Sequence, residues 1–105
     1  MREGEMLQTL IMEAQDAFKI YYDGRTNDKD CFRTTIYTGV LSADCRVGEE
    51  VVVAYGDNQY PVRILDIAQF NKSLQEGVAG LHVGLVFSHR HPELPKANVL
   101  IYKAK

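Results

Sequence analysis

The sequence predicts an all-β protein, six antiparallel strands in a barrel or sandwich, preceded by one short N-terminal helix. Three observations carry that prediction. Val and Ile supply 16 of the 105 residues, beside six Tyr and four Phe, a composition suited to the pleated, half-buried surface of strands. From residue 18 onward, apolar side chains recur with period two in runs bounded by Gly, Asn, Asp and Pro. No stretch between those runs is long enough for the helical crossover that a parallel pair requires, which leaves an antiparallel barrel or sandwich.

Residues 5–17 (EMLQTLIMEAQDA) read as the helix. Met6, Leu7, Leu10, Ile11 and Ala14 recur at three- and four-residue spacing as one apolar stripe, with Gln8, Glu13 and Asp16 facing away. A helix this short persists only when docked, on its own barrel or on a second copy. A homodimer through the N-terminal helix is therefore one expected assembly. The strands follow at 18–22, 32–41, 51–55, 62–67, 81–88 and 99–102. Between the first two lies the polar turn-former cluster DGRTNDKD at 23–30. In the fifth strand Leu81, Val83, Leu85 and Phe87 alternate strictly with His82, Gly84, Val86 and Ser88. The expected division is a helical segment, 1–17, and a barrel domain, 18–105. A further domain would leave each half too small for a core of its own.

Charge narrows the choice of partner. The net charge is −2, with −4 in residues 1–50 and +2 in the remainder. No overall basic field draws the chain to nucleic acid, so any such contact must be local. No apolar run approaches the roughly 18–20 residues of a membrane span. The start MREGEM has no apolar block behind a basic end. The expectation is a cytoplasmic protein with no membrane contact, in which Cys31 and Cys45 are reduced, buried hydrophobes.

Catalytic and metal chemistry finds little footing. In a strand His89 and His91 share one face, but two imidazoles are half a zinc site. His82 has the opposite parity, and Pro92 ends the strand at once. No serine sits in a GxSxG turn. Glu49 and Glu50 are adjacent, so their side chains diverge. The acids of 23–30 lack the spacing of a calcium loop. The expectation is a protein with no catalytic residue, no metal and no cofactor, which is not an enzyme. Tyr21, Tyr22, Tyr37, Tyr55 and Tyr60 could stack bases, but strand tyrosines more commonly cover a core with the hydroxyl in water.

Four segments carry a resemblance: TTIYTGVL (34–41), RVGEEVVV (46–53), QFNKSLQEGVAGLHVGLVF (69–87) and ANVLIYK (97–103). The most specific is the third, in which Phe70 and a polar turn precede Gly-x-x-Gly-x-x-Val-Gly at Gly77, Gly80, Val83 and Gly84. Together, over roughly residues 18–103, they resemble domain II of the translational GTPases, the elongation factor Tu group. The resemblance implies that the six strands form a closed antiparallel six-stranded β-barrel, which in intact factors sits beside a GTPase domain and contacts small-subunit ribosomal RNA and the aminoacyl end of tRNA. It implies a non-catalytic binding module whose partner is ribosomal RNA or a translation-related protein. The departures are specific. No GxxxxGK[ST] loop is present to cradle phosphates, so no GTP is expected. Where the family has Glu two residues before the Phe, this chain has Ala68. Where it has Arg at the end of the 81–88 strand, this chain has Ser88. The polar grip on an aminoacyl end is thus missing, and the turn SADC (42–45) is one residue shorter than the family's. RNA contact would rest on Lys72, Arg90 and Lys96 as phosphate ligands. The alternative is a protein-interaction or self-associating module with no nucleic-acid role.

Overall fold

The computed structural model describes residues 9–21, 33–89, 95 and 98–104. Its elements are all strands: β1 (Leu10–Glu13), β2 (Asp16–Tyr21), β3 (Arg33–Val40), β4 (Cys45–Arg46), β5 (Glu50–Tyr55), β6 (Asn58–Arg63), β7 (Asp66–Gln69), β8 (Lys72–Leu74), β9 (Glu76–Gly77), β10 (His82–His89) and β11 (Leu100–Lys103). They form three antiparallel sheets, ordered β1-β11-β5-β6, β2-β3-β10-β7-β8 and β4-β9. Alternation decides which residues point inward. Tyr37, Ile67, Leu85 and Phe87 come from the five-stranded sheet, and Ile11, Val51, Val53 and Ile101 from the four-stranded one. All eight are fully buried in one core. Each such side chain contributes roughly 1.5–3 kcal/mol by leaving water. The buried Tyr37 hydroxyl donates to the Pro95 carbonyl oxygen at 2.6 Å. Burial first, then the neighbouring Tyr60, holds that phenol well above its ordinary range, so it stays a donor.

The two large sheets meet at corners where one stretch of chain serves both. At the first corner, the Ala14 N–H donates to the Val99 carbonyl (3.0 Å) and the Gln15 N–H to the Thr38 carbonyl (2.8 Å), carrying the chain from β1 into β2. At the second, the Ile64 N–H donates to Glu49 (2.9 Å) and the Leu65 N–H to Val86 (2.8 Å). There the strand expected at 62–67 splits into β6 and β7. The ladders are interrupted at both corners, so the described sheets are not the single closed six-stranded barrel expected from sequence.

The N-terminal helix is corrected more sharply. Residues 10–13 and 16–21 are strands, and residues 5–8 of the expected helix lie outside the described residues. The cause is a β-bulge. The register of β1 on β11 shifts between Leu10 and Met12, which brings both Ile11 and Met12 into the core. Two adjacent buried residues, with Leu10 before and Ala14 after, imitate a helical stripe. The expected boundary between residues 17 and 18 falls inside β2.

Two glycines behave as backbone requirements. Gly80 takes φ +98° in the turn before β10. Gly84 is buried, and a Cβ there would lie 3.0 Å from Cγ2 of Ile36 on the neighbouring strand. The obstruction is a cross-strand side chain rather than backbone. Gly84→Val should lose about 1–3 kcal/mol through overpacking, seen as a lower Tm. An unchanged Tm would contradict this register.

Candidate functional site

Two places on the surface gather polar or reactive groups. The first is a cleft of about 280 Å³ between the β4–β9 ribbon and the end of β11, lined among others by Asp44, Cys45, Arg46, Glu49, Glu76 and Lys103. The pairing of Cys45 with Gly77 and of Arg46 with Glu76 builds it from segments about thirty residues apart. Every charged group in it has a partner. Lys103 Nζ lies 2.7 Å from Glu49 Oε2, and the Arg46 guanidinium 3.5 Å from Glu76 Oε2. Glu49 Oε1 accepts from the Arg46 N–H at 3.2 Å, and Asp44 Oδ1 from the Ala79 N–H at 2.9 Å. The Lys103–Glu49 pair is the more sheltered of the two ion pairs, and so the less screened. The arrangement clasps the ribbon to the four-stranded sheet.

Cys45 is a free thiol, 4% exposed, at the floor of this cleft. Burial first, then Glu49, pushes its pKa from the ordinary 9.0 up to about 11. The thiol therefore stays protonated and poorly nucleophilic in the folded protein. Because the folded chain holds this proton more tightly than the unfolded chain, the thiol's contribution to stability is complete below about pH 9 and falls away as pH rises toward 11. Iodoacetamide at pH 8 should label native Cys45 far more slowly than the urea-unfolded chain. Equal rates would show that the thiol is accessible.

The second place is the tip of the β7–β8 hairpin. Gln69 pairs with Lys72 across a two-residue turn made of Phe70 and Asn71. Both turn residues have positive φ, 50° and 65°, as a type I′ turn requires. Asn tolerates that conformation, whereas a bulky residue there is strained. Phe70 is also 86% exposed, the most exposed large apolar side chain among the described residues. The hairpin beneath it is braced. The Ser73 hydroxyl donates to Asp66 Oδ2 at 3.0 Å, and Gln69 Nε2 donates to the His82 carbonyl at 3.3 Å. Lys72 is exposed on β8, and His82 on the adjoining end of β10. The other cations with described side chains, Arg46, Arg63 and Lys103, are in ion pairs.

The residues singled out from sequence are dispersed. Lys72 stands at the hairpin tip, whereas Arg90 and Lys96 lie outside the described residues, as do Cys31, Tyr22, His91 and the acids of 23–30. The backbone of His89 ends β10 opposite Arg33, at the far end from His82. Among the described residues no cluster of three or more His, Cys, Asp or Glu is placed to hold a metal ion. Glu49 and Glu50 do diverge, one to Lys103 and one to Arg63 at 2.6 Å. Tyr37 is core, Tyr60 packs against it and Tyr55 is 41% exposed. Ala68 lies opposite Gly84 in the β7–β10 ladder. Among the described residues no helix is long and apolar enough to cross a membrane. Sequence reasoning marked Phe70 only as part of a pattern. The missing signal is that a Phe-Asn turn contains no glycine, so its positive φ was not legible.

No family model and no curated protein matches the sequence. Solved structures do share the fold, 48 chains in all. One is the crystal structure of the S. cerevisiae Ski7 GTPase-like domain bound to GDP and inorganic phosphate, with a TM-score of 0.68 and 6% identity. Another is the same domain bound to GTP, with a TM-score of 0.70 and 6% identity. Each match covers 100% of this chain and 25% of the other. The architecture is thus one found within a GTPase-like protein, and the present chain spans a quarter of those chains' length. At 6% identity the likeness is one of fold.

Proposed function

We propose that this chain is a non-catalytic binding module of the translation-factor domain II type that associates with single-stranded RNA, such as an exposed loop of ribosomal RNA, through the β7–β8 tip. The two corners, where one strand serves both sheets, support reading the architecture as such a barrel with its ladders broken at the bends. The observation that carries the function is Phe70, held in a strained turn and almost wholly in water, two residues from Lys72, which is exposed and has no ion partner among the described residues. Backbone strain at an exposed aromatic persists where the side chain is used. A base can stack on the ring, a contact worth roughly 1–3 kcal/mol, while Lys72 neutralises an adjacent phosphate. Such binding needs no overall basic charge, which agrees with a net charge of −2.

The test is fluorescence anisotropy with a labelled unstructured ribo-oligonucleotide across a salt series. Affinity should fall as salt rises, and Lys72→Ala should flatten the log–log slope by about 0.7, one phosphate's share on a single strand. No saturable signal at low salt, or a slope indifferent to Lys72, would remove the proposal.

A further inference from the structure

The hairpin tip does not stand alone on its face of the five-stranded sheet. In the β7–β10 ladder Ala68 lies opposite Gly84. A Cβ on Gly84 would meet the methyls of Ile36 and Thr38, not the core, so this row faces outward. With side chains alternating between faces, the next outward positions toward the tip are Phe70 and His82. The Gln69 side chain bridges the same step, its Nε2 donating to the His82 carbonyl at 3.3 Å. In the β3–β10 ladder His82 lies opposite Val40. Phe70, His82 and Val40 thus form one row at one end of the sheet, and all three are exposed. The row behind them is low, since Gly84 has no side chain and its neighbours Ala68 and Thr38 are short.

We propose that His82 is a second stacking platform, so that a bound single strand lays two successive bases on this row, one on Phe70 and the next on His82. The inference rests on the RNA reading of the tip and adds a contact residue and a footprint to it. Neighbouring strands stand about 4.7–4.9 Å apart. Sheet-borne RNA readers use exposed rings on adjacent strands to stack roughly two or three bases, and histidine is among the rings that serve. The backbone of His82 is held on one side by the ladder to β3 and on the other by Gln69. Its imidazole is therefore presented from a fixed point, which lowers the ordering cost of binding. The row offers no third ring, because the position after His82 is Val40. Lys72 remains the cation of the tip, so the second base is held by stacking and not by charge.

Anisotropy of a labelled ribo-hexauridylate with the full chain and two variants tests this. His82→Thr removes the ring and keeps a strand-forming residue. It should weaken binding about 5- to 150-fold, one base's share of stacking, with Tm close to wild type. His82→Phe restores a ring without an imidazole and should bind at least as tightly as wild type. The slope of affinity against salt should be the same in all three proteins, because no phosphate contact changes. If His82→Thr lowers Tm, His82→Phe decides alone, since a weaker complex there contradicts stacking. Wild-type affinity in His82→Thr, while Phe70→Asn binds more weakly, would overturn this inference and leave the RNA reading of the tip standing. A loss that His82→Phe does not restore, or a flatter salt slope in either variant, would overturn it by making His82 a hydrogen-bond or charge contact. No binding by the wild-type protein would remove both readings.

Discussion

Replacing Phe70 by Asn should make the protein more stable and at the same time deprive it of RNA binding. The two halves of this expectation have separate causes. Phe70 sits at φ 50° with 86% of its surface in water. The ring therefore contributes almost nothing to the core, while its backbone carries a cost of roughly 1–2 kcal/mol for a left-handed conformation. Asn is at ease in that region, and type I′ turns favour it. Relief of about 1 kcal/mol would raise Tm by roughly 4–8 °C in a domain near this size. Losing the stacking platform should weaken RNA binding by about 1–3 kcal/mol, or roughly 5- to 150-fold. Thermal melts and anisotropy on the same preparation read both. A structural role for Phe70 would reverse the first result, with Tm falling. An idle Phe70 would leave affinity untouched.

Phe87→Ala should be the most damaging single change in the molecule. Phe87 is fully buried on β10, its ring centroid 6.0 Å from that of Tyr37 and tilted 54° to it. Truncation removes the burial term, opens a cavity between two sheets that cannot collapse onto each other, and loses an aromatic pair. The expected loss is about 3–5 kcal/mol, a large part of the stability of a small domain. The variant should show a Tm lower by well over 10 °C, or no cooperative transition, by circular dichroism. A loss below about 1 kcal/mol would mean that the site repacks freely, which a core of two facing sheets does not permit.

What the sequence disclosed and what it hid follow from one property of sheets. Strict alternation survives where a strand stays in one sheet, so 32–41 and 81–88 were legible and appear as β3 and β10. It fails where a strand changes sheets. Ile64 is buried and Leu65 is 50% exposed at the second corner, so 62–67 looked like one strand while the chain was leaving one sheet for the other. At the first corner the bulge at Ile11 and Met12 gave a helical spacing to a strand. The β4–β9 ribbon, and with it the Cys45 cleft, rests on a pairing across thirty residues that no local pattern encodes. Lys72 was visible as a local basic residue. That it stands beside a strained, water-exposed ring was not visible, because side-chain exposure at a hairpin tip depends on the register of both strands.

The most direct measurement is a nitrogen-15 NMR titration of the protein with a short unstructured ribo-oligonucleotide. The largest shift changes are expected at the amides of Gln69, Phe70, Asn71, Lys72 and Ser73, with His82 following through its hydrogen bond to Gln69, and little change at Val52, Ala54 or Leu100. Shifts centred anywhere else, or a spectrum that does not move, would contradict it.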